Sequence, residues 1–232
     1  MPVIEGAQCY ISTSTGKLNE YTNEETKHFD ETSTRRLRSC YIQAQEGMEF
    51  KISVEPGSFA DDHPEATDFV ATLSLDGVRR KFKASIIRFT SKIQDYKYVR
   101  VTDSSPWLQA LKFEKLDITD DLQTLATQNS QKWGEIEVGL YRWTRLSDWE
   151  TEHFWESDAD REQIPANGIR KVHEQELKGS GISCAVGGGN LKREDRSIIA
   201  DGEYVDPEPY MTFRFLYRPE RRSQLLSALK IC

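Results

Sequence analysis

The stretch Asp148-Trp-Glu-Thr-Glu-His-Phe-Trp-Glu-Ser-Asp-Ala-Asp160 gathers more reactive and adhesive side chains than any other part of the chain. It interleaves Asp148, Glu150, Glu152, Glu156, Asp158 and Asp160 with the rings of Trp149, Phe154 and Trp155. Carboxylates steer a basic partner toward a surface, and aromatic rings anchor it on arrival. Trp149, Glu150, Glu152, Phe154, Trp155, Glu156 and Asp158 are therefore the candidate contacts to a protein partner. The competing expectation is structural: Trp149 or Trp155 folds back onto the body of the protein and the acids are solvated.

Catalytic chemistry finds less support. His153 and Glu156 stand three residues apart, but no second histidine follows at the spacing of a zinc-protease helix. Gly187-Gly188-Gly189 lacks the lysine of a phosphate loop and the glycine spacing of a dinucleotide fold, so it is expected to be a turn between strands. No Gly-x-Ser-x-Gly elbow occurs. His28, His63, His153 and His173 lie in polar surroundings and read as solvated loop histidines. A carboxylate pair for glycoside hydrolysis would leave no spacing to read among 38 acids. The sequence assigns no catalytic residue, no metal ligand and no cofactor.

Composition narrows the partner. The 232 residues carry 31 basic and 38 acidic side chains, a net charge of -7, which argues against a general nucleic-acid binder. Local basic clusters at 79–83, 142–145 and 214–222 are expected to be the solvated faces of strands. A hydrophobic share of 37% with five Trp is enough to build a core. No stretch approaches the ~18 apolar residues of a membrane span. Cys9, Cys40, Cys184 and Cys232 are far apart with no Cys-x-x-Cys, the pattern of free thiols in a reducing compartment. Residues 1–8 do not read as a secretory leader, so the expected location is intracellular, cytoplasmic or nuclear.

The elements that must position these residues are strands, because the dominant hydrophobic period is two. Residues 8–14 followed by Gly16-Lys17 form an expected hairpin. Residues 22–36 are polar and read as an exposed loop, and 37–44 as a strand. Met48, Phe50, Ile52 and Val54 alternate with polar residues until Pro56-Gly57. Residues 69–75 and 78–86 flank Asp76-Gly77, a turn whose backbone twist matches a hairpin. In 108–118 the apolar parity switches between Phe113 and Leu116, which suggests a bulge. Thr119-Asp120-Asp121 is placed to cap one or two helical turns. Residues 134–143, 182–186 and 210–217 complete the strands, and Leu225, Leu226 and Leu229 predict a short C-terminal helix after Pro219. The expected fold is all-β: a single antiparallel β-sandwich over 1–232, jelly-roll or immunoglobulin-like, with one long insertion or loop at 146–178. Phe50, Ile52, Leu73, Leu75, Ile136, Val138, Leu140, Phe213 and Phe215 are the expected core.

Several short stretches together resemble a family of uncharacterised fungal domains of unknown function. They are Cys40-Tyr-Ile with Gly47-Met-Glu-Phe50, the Leu73-Ser-Leu-Asp-Gly77 turn and Gly134-Glu-Ile-Glu-Val138. Glu174-Gln-Glu-Leu-Lys-Gly179, Ile182-Ser-Cys-Ala-Val-Gly187 and Phe213-Arg-Phe-Leu-Tyr-Arg218 complete the set. The resemblance implies a fungal, intracellular, mostly β protein and brings no catalytic residues with it. The residues themselves favour a non-enzymatic module that binds a protein partner, with no membrane contact. Alternatives are a carbohydrate- or small-ligand-binding sandwich and an unrecognised hydrolase. The oligomeric state is not legible.

Overall fold

A computed structural model describes residues 2–22, 24–32, 36–55, 57, 66, 68–80, 86–88, 94–96, 98–100, 107–120, 133–152, 171–177, 182–193 and 196–219. The chain begins with β1 (Val3–Ile4), β2 (Ala7–Thr13), β3 (Gly16–Lys17), β4 (Glu20–Tyr21), helix α1 (Glu24–Thr32), β5 (Arg36–Gln43) and β6 (Lys51–Glu55). It continues through β7 (Asp68–Leu75), β8 (Val78–Arg80), β9 (Ile86–Arg88), β10 (Gln94–Tyr96), β11 (Tyr98–Arg100), β12 (Trp107–Lys115) and β13 (Asp117–Thr119). The last elements are β14 (Glu135–Glu152), β15 (Lys171–His173), the one-turn helix α2 (Glu174–Leu177), β16 (Cys184–Arg193), β17 (Arg196–Tyr204) and β18 (Met211–Arg218).

Alternation builds these strands as expected. In β18, Met211, Phe213, Phe215 and Tyr217 share one face and are fully buried, while Arg214 faces the other way and pairs with Glu137 on β14. An eight-stranded sheet runs in the order β4-β5-β18-β14-β7-β8, with β17 also on β14 and β9 also on β7. Opposite it lie a five-stranded sheet, β1-β2-β6-β10 with β3 on β2, and a three-stranded sheet, β11-β12-β16. These two are stitched edge to edge: the Phe50 N–H donates to the Leu111 carbonyl at 3.0 Å, and the Phe113 N–H to that of Met48 at 3.0 Å. All three sheets contribute to one core, with Ile11, Ile52, Phe113 and Val186 from one side and Leu73, Ile136, Val138 and Phe213 from the other. Phe113 sits at the meeting point, stacked on Phe50 at 4.4 Å and tilted against Tyr217 at 5.1 Å. The fold is all-β and sandwich-like. Every residue of the expected core is buried, none of the nine more than 4% exposed.

The Asp76-Gly77 turn closes β7 onto β8 with both residues at positive φ, 50° and 76°, as a two-residue primed turn requires. Gly16-Lys17 likewise pairs back onto Ser12 and Thr13.

Several expectations need correction. Residues 24–32 are helix α1 and not a loop: Thr22-Asn-Glu-Glu25 is a capping pattern, and the acids of the first turn favour the helix dipole. Asp30 ties this helix to β5 by accepting the Ser39 N–H at 3.1 Å. The three glycines are no turn. They lie inside β16, where Gly187 and Gly188 pair with Lys112 and Leu111. A Cβ on Gly187 would fall 1.9 Å from the Glu114 carboxylate, because the β12 side chains lie across the bare strand. The parity switch in 108–118 is not a bulge between Phe113 and Leu116. There the chain leaves β12 for β13, and Leu116 enters a second core cluster with Trp133, Val172, Leu177 and Ile182. The register shift falls earlier, between Gln109 and Leu111, and the extra residue is on β16, where Gly189 and Asn190 stand against the single Ala110. Pairing is also not wholly antiparallel. β5 runs parallel to β18, as does β13 to β15, since strands far apart in sequence need no hairpin to meet.

The proposed insertion at 146–178 begins as regular structure. β14 runs unbroken to Glu152 against β17, and 171–177 forms β15 and α2. Residues 153–170 and the expected C-terminal helix after Pro219 lie outside the described residues, as do the helical turns expected after Thr119-Asp120-Asp121.

Candidate functional site

β14 is 18 residues long, and its two ends do different things. From Ile136 to Leu140 it is flanked by β18 on one side and β7 on the other. β7 ends at Asp68, opposite Trp143. Beyond that point β14 pairs only with β17 among the described residues, as a two-stranded ribbon.

One extra residue, Leu146, interrupts the ribbon register between Arg145↔Gly202 and Ser147↔Asp201. Such a bulge exchanges the faces of everything beyond it. Before it, the even residues Ile136, Val138 and Leu140 face the core. After it, the even residues Asp148, Glu150 and Glu152 stand opposite Ala200, Ile198 and Arg196 on the outer face, the side of Tyr141, Trp143 and Tyr204. Trp149, opposite Ile199, moves to the other face. For 148–152 the structure describes this backbone register and no side-chain contacts. Phe154, Trp155, Glu156 and Asp158 lie outside the described residues, as does His153.

The bulge also exposes apolar surface. Leu146 is 64% exposed and Tyr204 57%, and Val205 follows directly. Tyr204 meets Tyr141 edge to face at 5.4 Å. Gly202 clears space for the Trp143 ring: a Cβ there would lie 2.3 Å from Trp143 Cζ2 and from the Thr144 carbonyl. That packing buries Trp143, leaving Tyr204 as the outward ring.

A groove of about 530 Å³ adjoins the base of the ribbon, lined by Arg36, Arg142, Asp206, Pro207, Glu208, Pro209 and Tyr210. The loop 205–210 separates β17 from β18 along the same side of β14, anchored by Val205 N–H to the Arg142 carbonyl and Tyr210 N–H to that of Leu140. Arg142 grips Asp206 with two parallel bonds, Nε to Oδ2 at 2.7 Å and Nη2 to Oδ1 at 2.6 Å. The Arg36 and Arg142 guanidiniums both lie over the Tyr210 ring, at 4.1 and 4.3 Å from its centroid. The Glu5 carboxylate accepts from Arg36 Nε and from the Tyr210 hydroxyl. Partial burial, reinforced by that bond to Glu5, raises the Tyr210 phenol above its ordinary value, while the two arginines oppose the rise. Arg145 pairs with Asp68 at 3.0 Å, so the arginines at 142, 145 and 214 are each matched by a carboxylate.

A third constellation is internal. Asp76 is fully buried in its turn, and its carboxylate accepts from Gly134 N–H at 2.8 Å, Val186 N–H at 2.9 Å and the Tyr217 hydroxyl. These three partners are all donors, which suits an acceptor-only carboxylate. The three donors come from the residue before β14, from β16 and from β18, so one side chain joins both layers. Burial, then the Asp76 charge, raises the Tyr217 phenol well above its usual range. The same two causes push the Cys184 thiol up to about 12. Cys9, Cys40 and Cys184 are free and buried, and burial raises the thiols of Cys9 and Cys40 as well. Cys232 lies outside the described residues. Among the described residues no group of three or more His, Cys, Asp or Glu is placed to hold a metal ion. No helix among them is long and apolar enough to cross a membrane.

The ribbon brings together Trp149, Glu150 and Glu152 of the sequence-derived set, and adds Tyr204 and Leu146, whose exposure follows from a bulge with no sequence signature. The groove residues Arg36 and Tyr210, and Glu5 which bonds to both, carry no sequence signal because their spacings along the chain are arbitrary, while Arg142 read only as part of a solvated basic cluster.

The sheets and core define an all-β sandwich-like domain in which β14 runs on past β7 alongside β17. The chain belongs to the family DUF7918, a domain of unknown function, whose family model matches residues 6–230. No curated protein and no solved structure matches the chain.

Proposed function

We propose that this domain is a non-enzymatic protein-interaction module that docks a basic partner on the outer face of the β14–β17 ribbon. The observation that carries the reading is the bulge at Leu146, which sets Asp148, Glu150 and Glu152 on the same face as the exposed ring of Tyr204. Across 145–152 and 196–204 there are five acids (Asp148, Glu150, Glu152, Asp201, Glu203) against two arginines, Arg145 and Arg196. Exposed tyrosine with neighbouring arginine is the composition that anchors interfaces, and a surrounding field of one sign speeds encounter. Three buried free thiols favour a reducing compartment, the cytoplasm or nucleus.

The test uses the full chain as bait in native cell extract, beside a variant carrying Asp148→Asn, Glu150→Gln and Glu152→Gln. Basic proteins retained by the wild type and lost by the variant, with capture weakening as salt rises, are the expected result. Identical capture by both baits removes the ribbon from the interface. A carbohydrate-binding reading has the Tyr141–Tyr204 ring pair in its favour. Glycan retention that depends on Tyr204 and ignores the acids would replace the protein-binding one.

A further inference from the structure

We infer that the groove between Arg36 and the loop 206–210 is a ligand site for a monocarboxylate joined to an apolar group. The inference does not rest on the reading of the ribbon as a docking face.

Adjacency in the sheet builds the site. β5, β18 and β14 are neighbours, so Arg36 at the start of β5, Tyr210 just before β18 and Arg142 on β14 come side by side. Both guanidiniums lie over the Tyr210 ring. Each arginine is also held by its own carboxylate, Arg142 by both oxygens of Asp206 and Arg36 by Glu5. Glu5 reaches Arg36 and the Tyr210 hydroxyl from the turn between β1 and β2, where its φ is 47°, a left-handed conformation that glutamate seldom adopts. Backbone strain retained beside a cavity points to function, because the fold holds that wall in place at a cost.

Charge and shape select the ligand. Both oxygens of Asp206 and both of Glu5 already accept hydrogen bonds within the wall. Arg36 is bound to Glu5 through Nε, and its side chain lines the groove while 46% exposed. Its Nη1–Nη2 edge is therefore the fork offered to a ligand, a match for the two oxygens of a carboxylate. Pro207 and Pro209 supply rigid apolar walls with no N–H to satisfy. The volume of about 530 Å³ suits a small molecule or the end of a peptide. Asp206, Glu208 and Glu5 stand against two arginines, so a phosphate dianion meets repulsion that a single negative charge on the Arg36 fork largely escapes. The carboxylate is that of a free organic acid or of a peptide chain ending in an apolar residue.

The experiment titrates the whole protein, followed by NMR at low salt and neutral pH, with benzoate, benzamide and phenyl phosphate. Acetyl-Gly-Gly-Phe, with its terminus free or amidated, forms a second arm. Benzoate should bind, and benzamide and phenyl phosphate should bind at least about tenfold more weakly. Arg36→Lys keeps the charge and removes the fork, so it should weaken benzoate at least about tenfold, whereas Arg145→Lys outside the groove should not. Tighter binding of the free-terminus peptide than of benzoate, lost on amidation, assigns the carboxylate to a chain end, and the reverse order assigns it to a free acid. No binding of either acid, or benzoate binding unchanged in both Arg36→Lys and Arg36→Gln, overturns the site. Phenyl phosphate binding as tightly as benzoate overturns the choice of a carboxylate.

Discussion

Between Ile136 and Leu140, β14 has a strand on each side and three side chains sealed in the core. Between Thr144 and Glu152 the same strand has β17 alone among the described residues, and it carries acids at every second position beyond the bulge. The backbone is β throughout, so local propensity does not separate the halves. Neighbours do. The inner half gains from burial at roughly 25 cal/mol for each Å² of apolar surface removed from water. Among the described residues the outer half has a single paired strand, and a two-stranded ribbon alone is marginal in water. The lesson is that one strand supplies core side chains where strands flank it on both sides, and alternating acids where β17 alone pairs with it among the described residues.

This contrast can be broken most forcefully from the inner side. Phe213, fully buried opposite Val138, should cost about 3–5 kcal/mol on replacement by Ala, read from urea denaturation. A loss under about 1 kcal/mol would show that the inner half is not where stability resides. Next in size is Asp76→Asn. The amide turns a donor toward a shell of donors, and about 2–4 kcal/mol should be lost, with β16 gaining hydrogen exchange because Val186 N–H keeps only its weaker acceptor, the Tyr217 hydroxyl at 3.1 Å.

Alkaline titration probes the same buried region. The Cys184 thiol is raised from its ordinary 9.0 to about 12, and the Tyr217 phenol is raised as well, in both cases first by burial and then by Asp76. The folded chain thus keeps protons that the unfolded chain releases. The associated stability is fully present below about pH 9 and is lost as pH climbs toward 12. Thermal midpoints should fall across that window, and Cys184→Ala should flatten the decline. A midpoint independent of pH up to 11 would contradict the burial of these groups. The smallest effect belongs to the ribbon: Glu150→Gln with Glu152→Gln should change stability by less than about 0.5 kcal/mol while slowing partner association. A large stability loss there would mean that the acids are structural and that the contrast between the halves fails.

The sequence by itself determined the strands, their buried faces and the tight turns. Phe50, Ile52, Val138 and Phe213 were legible because a strand buries every second residue whatever sheet it joins, and Asp76-Gly77 because few dipeptides accept two positive φ angles. Composition also marked 148–160 as unusual before any neighbour was known. Tertiary structure decided everything that depends on pairing. It turned Gly187–Gly189 from a turn into a strand overlain by β12 side chains, and it gave Asp76 a second task as the carboxylate joining both layers. It also decided which way the candidate site faces. In the sequence Trp149 has the parity of Tyr141 and Trp143, yet one unpaired residue at Leu146 exchanges the faces. The physical reason is that a side chain's face is fixed by register against a partner strand, and register is a property of two segments that no single segment encodes.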